Sequence, residues 1–185
     1  MSLILRIQKT ENFNKRQYIL KIGIVLLSLT YVFCMLYLLF FLRISNRAGW
    51  MSGEAQKIGY WHTIWNHTNL IPFQTVIEFA WDFRRAHKIL SFSFINLAGN
   101  VVMFVPLGIF LPYYWDSMRN FRKFVPVVML MVIVIEVTQV LTLTGTCDID
   151  DFLLNTVGSC IGLLLFRSIC LLKERFFHGN RNSED

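Results

Sequence analysis

Four long apolar stretches divide this chain, and they restrict the folds open to it. Ile22–Leu42 runs 21 residues without a charge, and a second stretch, about Phe92–Trp115, ends in the aromatics Tyr113, Tyr114 and Trp115. The third, about Phe124–Thr144, carries one acid, Glu136, and the fourth, about Phe152–Leu172, has Arg167 near its end. Each is long enough to span a bilayer's hydrocarbon, Tyr and Trp suit its interface, and Arg167 can snorkel outward. Of the 185 residues 55% are hydrophobic and 16% charged, with a mean hydropathy of +0.48. One small core cannot hide that much apolar surface, so lipid must solvate the rest. The predicted fold is all-α, a polytopic membrane protein with about four transmembrane helices and an interfacial amphipathic helix.

The charges set the expected orientation. Net charge is +6, but no basic stripe lies on a soluble module, which argues against nucleic acid as a partner. Arg6, Lys9, Lys15, Arg16 and Lys21 precede the first span, and Arg119, Arg122 and Lys123 follow the second. Arg167, Lys173, Arg175 and Arg181 mark the end of the fourth, so these three regions hold 12 of the 18 basic residues. The connection Gly145–Asp151 has three acids and no base. Excess Lys and Arg stay on the cytoplasmic side, so residues 1–21 and 173–185 are predicted to be cytoplasmic tails of a multi-pass cell-membrane protein. The first span lacks a cleavage site and is longer than a signal peptide's apolar core, so it is expected to remain.

The outer connection, 43–91, is too aromatic for a solvated linker: Trp50, Trp61, Trp65, Phe73, Phe79, Trp81 and Phe83 fall in it. From Phe73, Val76, Ile77, Ala80 and Phe83 recur at helical spacing, with Glu78, Asp82 and Arg85 on the other face. A helix entered through Pro72 and covering 73–88 follows, either interfacial or re-entrant.

Polar groups in hydrocarbon need a partner or a purpose. Asn96 and Asn100 share one face of the second helix, Glu136 and Gln139 one face of the third, and Asp151 and Asn155 one face of the fourth, just after Asp148 and Asp150. In the orientation above, all three pairs fall in the outer half of the membrane. Glu136 lies eight residues before Thr144, roughly 12 Å at the helical rise. Asn and Gln also serve as interhelical packing contacts, and Asp148, Asp150 and Asp151 suit a solvated loop and a helix N-terminus. An acid at the depth of Glu136 points instead to function.

Gly158 and Gly162 form a G-x-x-x-G step beside Asn155, suited to close approach of another helix. Pro106 within the second helix frees the Val102 carbonyl, and Gly108 tolerates a bend. Cys34, Cys160 and Cys170 lie in apolar runs and only Cys147 falls in a polar loop; the four read as small buried hydrophobes and not as a disulfide framework. There is no C-x-x-C or His cluster for a metal, and nothing calls for a cofactor.

In order and spacing, Asn69–Phe73 (NLIPF), Asn100–Gly108 (NVVMFVPLG), Glu136–Gln139 (EVTQ) and Asp148–Gly158 (DIDDFLLNTVG) with Gly162 resemble the VanZ-like family. The similarity covers roughly 69–166. It implies a small polytopic protein of bacterial cell surfaces, whose namesake contributes to teicoplanin resistance. It marks Asn69, Pro72, Asn100, Pro106, Gly108, Glu136, Gln139, Asp148, Asp151, Asn155 and Gly158 as signature positions, but supplies no mechanism. The expectation is a membrane protein that alters an outer-surface component or its accessibility, so that a lipoglycopeptide binds less. Two alternatives stay open. Glu136, Asp148 and Asp151 could form a catalytic acid/base set acting on a lipid-linked cell-wall precursor, or the region could be a transport or proton relay. No nucleophile motif or nucleotide loop accompanies these acids, so an enzyme is the lesser expectation.

Overall fold

A computed structural model describes residues 2–41, 49–74, 77, 80, 81, 84 and 92–181 of the chain, with side chains for 15–41, 51–74, 77, 80, 81, 84 and 97–175. The chain divides into two units, Met1–Leu38 and Leu39–Asp185. The first is helical: α1 spans Ser2–Leu36, and a π-helical turn, Tyr37–Phe41, begins at its end. Within it Ser28 Oγ donates to the Val25 carbonyl, a bond that keeps a hydroxyl satisfied inside an apolar helix.

The second unit holds α2 (Gly49–Ile58), α3 (Tyr60–Asn66), α4 (Phe92–Tyr114), α5 (Phe121–Leu141) and α6 (Ile149–Arg181). Two short strands, β1 (Thr68–Asn69) and β2 (Cys147–Asp148), pair in parallel, Thr68 with Cys147 and Asn69 with Asp148. Among the described residues four helices are long and apolar enough to cross a membrane: Lys15–Phe41, Leu97–Tyr114, Phe121–Leu141 and Ile149–Arg175. The protein is an all-α polytopic membrane protein, as its apolar stretches predict. Of the 73–88 helix, Val76, Glu78, Phe79, Asp82, Phe83 and Arg85 lie outside the described residues; the described Ile77 N–H donates to the Phe73 carbonyl at 2.9 Å.

Glycines set the principal interface, between α4 and α6. A methyl group added to Gly158 would overlap the Val101 carbonyl, one on Gly162 the Val105 carbonyl, and one on Gly108 the Ser159 carbonyl. The matched order of these contacts shows the two helices running in the same direction, backbone against backbone. Only residues without Cβ allow so close an approach, and lipid-exposed helices gain most of their attraction from such packing. On α5, Phe124, Val128, Val132, Glu136 and Val140 recur every four residues and are all buried. Glu136 thus occupies a core position of an otherwise apolar stripe.

The sequence reading places the end of the third span at Thr144, but the helix stops at Leu141. Leu143 then takes a left-handed conformation (φ 54°), which a helix cannot continue through. The amides of Thr144 and Gly145 turn back to the Gln139 carbonyl at 2.9 and 3.2 Å, satisfying a terminal acceptor. Glu136 therefore lies five residues from the helix end, about 7.5 Å at the helical rise. The cysteines are free, but none is fully buried and Cys34 is exposed, unlike the small core residues expected. Side chains on a membrane helix can face lipid as well as a neighbouring helix, so an apolar run does not imply a buried thiol.

Candidate functional site

The ends of α5 and α6 and the segment 60–73 meet at one pole of the bundle, and most of the singled-out polar residues lie there. Asp148 immediately precedes α6, and its Oδ1 accepts the Asp150 amide at 2.9 Å, the bond of an N-capping residue. Asp150 and Asp151 occupy the first helical turn, where exposed amides favour negative charge. Neither is solvated: both are buried. Asp151 Oδ1 accepts a short hydrogen bond from Asn100 Nδ2 of α4. Asp150 Oδ1 accepts the Phe73 backbone N–H at 2.5 Å. Buried carboxylates are tolerable only with such partners.

Segment 60–73 acts as a strap over this pole. Tyr60 Oη donates to the Leu141 carbonyl at 2.6 Å, and the Cys147 amide donates to the His67 carbonyl at 3.0 Å. His67 Nε2 lies 2.9 Å from Glu54 Oε2, linking α2 to the strap. Asn69 Nδ2 donates to Asp148 Oδ2 at 3.4 Å. Pro72 leads into Phe73, which holds a left-handed backbone (φ 67°) unusual for a bulky residue. The hydrogen bond its backbone N–H donates to Asp150 is one of the contacts that offset that strain.

Glu136 is buried, and with Asp148 and Cys147 it lines a recess of about 160 Å³. The other lining residues are Leu70, Ile133, Val137, Ile149 and Phe152. Burial pushes the Cys147 thiol pKa up, and the negative charges of Glu136, Asp148 and Asp151 push it further in the same direction. One thiol thus senses acids from α5, the turn and α6.

Not every singled-out residue joins this group. Gln139 is fully buried but donates through Nε2 to the Leu39 carbonyl at 2.9 Å. Asn155 is buried, and its Oδ1 has no hydrogen-bond donor among the described residues, while its backbone carbonyl accepts from Ser159 Oγ. The Asn96 side chain lies outside the described residues. Pro106 lies within the continuous helix α4 together with Pro112. Gly108, Gly158 and Gly162 shape the helix interface and do not reach the recess. Sequence reasoning overlooked Tyr60, His67, Leu70 and Cys147. Cys147 had a signal, since it adjoins Asp148; Tyr60 and His67 act at long range and had none. Among the described residues no group of His, Cys, Asp or Glu is arranged to hold a metal ion.

Residues 28–172 match the VanZ/LLP1 family, which takes in α4, α5, the strap and most of α6. The chain belongs to the VanZ/LLP1 family. Among curated proteins it is similar to Protein VanZ of Enterococcus faecium, 32% identical over 74 residues. That match covers 40% of this chain and 45% of the relative, so it spans less than half of either. No solved structure matches.

Proposed function

We propose that this protein is a membrane component of the bacterial cell envelope that lowers sensitivity to teicoplanin-type lipoglycopeptides by altering an outer-surface component or its accessibility. Its acidic pole is the working end and faces outward, with both termini in the cytoplasm. The observation that carries this reading is the burial of Glu136, Asp150 and Asp151 at one end of a membrane bundle. Buried carboxylates cost stability, and a fold with no use for them gains by replacing them with apolar residues. The test is expression in a susceptible Gram-positive host. The protein should raise the inhibitory concentration of teicoplanin more than that of vancomycin, and Asp151→Ala should remove the difference while the variant still reaches the membrane. Equal protection against both drugs would overturn the reading.

Acid/base catalysis on a lipid-linked cell-wall precursor is a second reading, supported by Glu136 and Asp148 lining one recess. Glu136 and Asp148 would exchange protons with the substrate, and Asp151 would act beside them. Under this reading Glu136→Gln abolishes the phenotype at unchanged abundance, and deletion changes the profile of lipid-linked precursors. An unaltered profile would sink it.

A further inference from the structure

The recess at the acidic pole presents an almost wholly apolar surface, and that surface continues into the part of the bundle that faces lipid. Ile133 and Val137 line it from α5, are 46% and 43% exposed, and lie within the span Phe121–Leu141. Leu70 lines it from the strap at 64% exposed, and the next residue, Ile71, is 67% exposed. The lipid-facing side of α5 thus runs on without a break onto the strap. Ile149 and Phe152, both half-buried, close the recess from the first turn of α6, and the Glu136 carboxylate is buried behind it. Ile133 lies eight residues before the end of α5, about 12 Å at the helical rise, so the recess reaches roughly two turns from the pole into the span.

We propose that this recess is a lateral binding site for the hydrocarbon chain of a membrane lipid, taking the stretch of chain nearest the lipid's head. The proposal rests on the acidic pole being the working end, and adds that the pole's target is lipid-anchored and arrives sideways from the bilayer. Water settles only where it finds a few polar partners, which an apolar surface does not offer. A charged or hydroxylated head would lose its hydration there without gaining hydrogen bonds. A hydrocarbon chain meets neither penalty, because lipid tails are as apolar as the aliphatic side chains they would touch. It also gains the close contacts that an unfilled recess forfeits. The volume fits. A cavity of about 150 Å³ holds benzene, so a recess of about 160 Å³ takes about six carbons of a single chain. Depth selects which carbons: the recess starts at the pole, so a chain lying in it leaves its head at the pole.

The test places the full-length protein in nanodiscs of phosphatidylcholine that carries a photoreactive diazirine on one chain, either beside the ester or at the chain end. After illumination, mass spectrometry maps the adducts. The diazirine beside the ester should mark Phe152 and Cys147 inside the recess as well as Ile133 at its lip, and the chain-end diazirine should miss Phe152 and Cys147. Cys147→Phe puts a ring into the recess, so the Phe152 adduct should be lost while the Ile133 adduct persists. Leu70→Trp, filling the recess from the strap, should remove the Phe152 and Cys147 adducts in the same way and carries the test if Cys147→Phe does not reach the membrane. Adducts on Ile133 without any on Phe152 or Cys147 would overturn the site. Adducts that survive both fillings would reduce them to random collisions at the bilayer surface and also overturn it. Stronger marking of Phe152 by the chain-end probe would overturn the assignment to the head-proximal stretch. Adducts lost on filling with drug protection unchanged would leave the site standing and remove its link to resistance; drug protection without recess adducts would remove the site alone.

Discussion

Asn100 and Asp151 form the most informative pair in the bundle, because each buries a polar group that the other satisfies. Asp151→Ala leaves the Asn100 amide without its acceptor, at a cost of about 1–3 kcal/mol. Asn100→Asp places a second carboxylate against the first and should lower the melting temperature in detergent further. The exchange N100D/D151N restores one amide and one carboxylate, so it should recover most of the loss. A double variant no more stable than Asn100→Asp would show that the partners are not interchangeable. Cys147 gives a second test at this scale. Its raised thiol pKa means less thiolate at neutral pH and slow alkylation. Removing the negative charge with Glu136→Gln lowers that pKa, so labelling near pH 8 should accelerate. The two rates should converge at high pH, where the thiol is ionised in both proteins.

The α4–α6 interface makes its predictions through backbone contact. Alanine at Gly158 or Gly162 puts a Cβ into a carbonyl of α4, and backbone cannot yield as a flexible side chain can. Each substitution should cost about 3 kcal/mol or more, seen as lost thermal stability and lower membrane abundance. Gly99 lies on α4, where among the described residues an added Cβ would meet nothing within 4 Å. Gly99→Ala should therefore be neutral, or stabilise by up to about 1 kcal/mol through helix propensity. Equal damage at Gly99 and Gly158 would mean that helix flexibility, and not close packing, explains the glycines. The G-x-x-x-G step was legible because its spacing repeats within one helix. The strap was not, since Tyr60 and Leu141 lie 81 residues apart and their bond has no local period.

At the scale of the whole molecule the central question is which way the bundle faces. The charge distribution predicts the acidic pole outside and both tails inside. A cysteine substituted at Thr146, in a background free of other cysteines, should react with a membrane-impermeant maleimide on intact cells. One placed at Ser183 should react only after permeabilisation. Labelling of Ser183→Cys on intact cells would invert the topology and move the acidic pole to the cytoplasm. Drug protection through an outer-surface component requires the first arrangement.

The polar pairs divide along the line between local and long-range order. Sequence alone established the membrane class, four apolar helices, and the acids and amides grouped near one end. All of that follows from hydropathy and helical periodicity, which are local properties. It also marked Glu136 as misplaced among apolar neighbours, and its position in the buried stripe of α5 agrees with that. Tertiary structure alone decided partners such as these: Asp151 takes Asn100, Asp150 takes the Phe73 amide, and the Gln139 amide donates to the Leu39 carbonyl. The recess, too, exists only in three dimensions, because its walls come from α5, α6, the turn between them and a strap some 60 residues earlier in the chain. Periodicity says which face of a helix a residue occupies. Which element covers that face depends on packing between distant segments, and in this bundle backbone contact at three glycines fixes much of it.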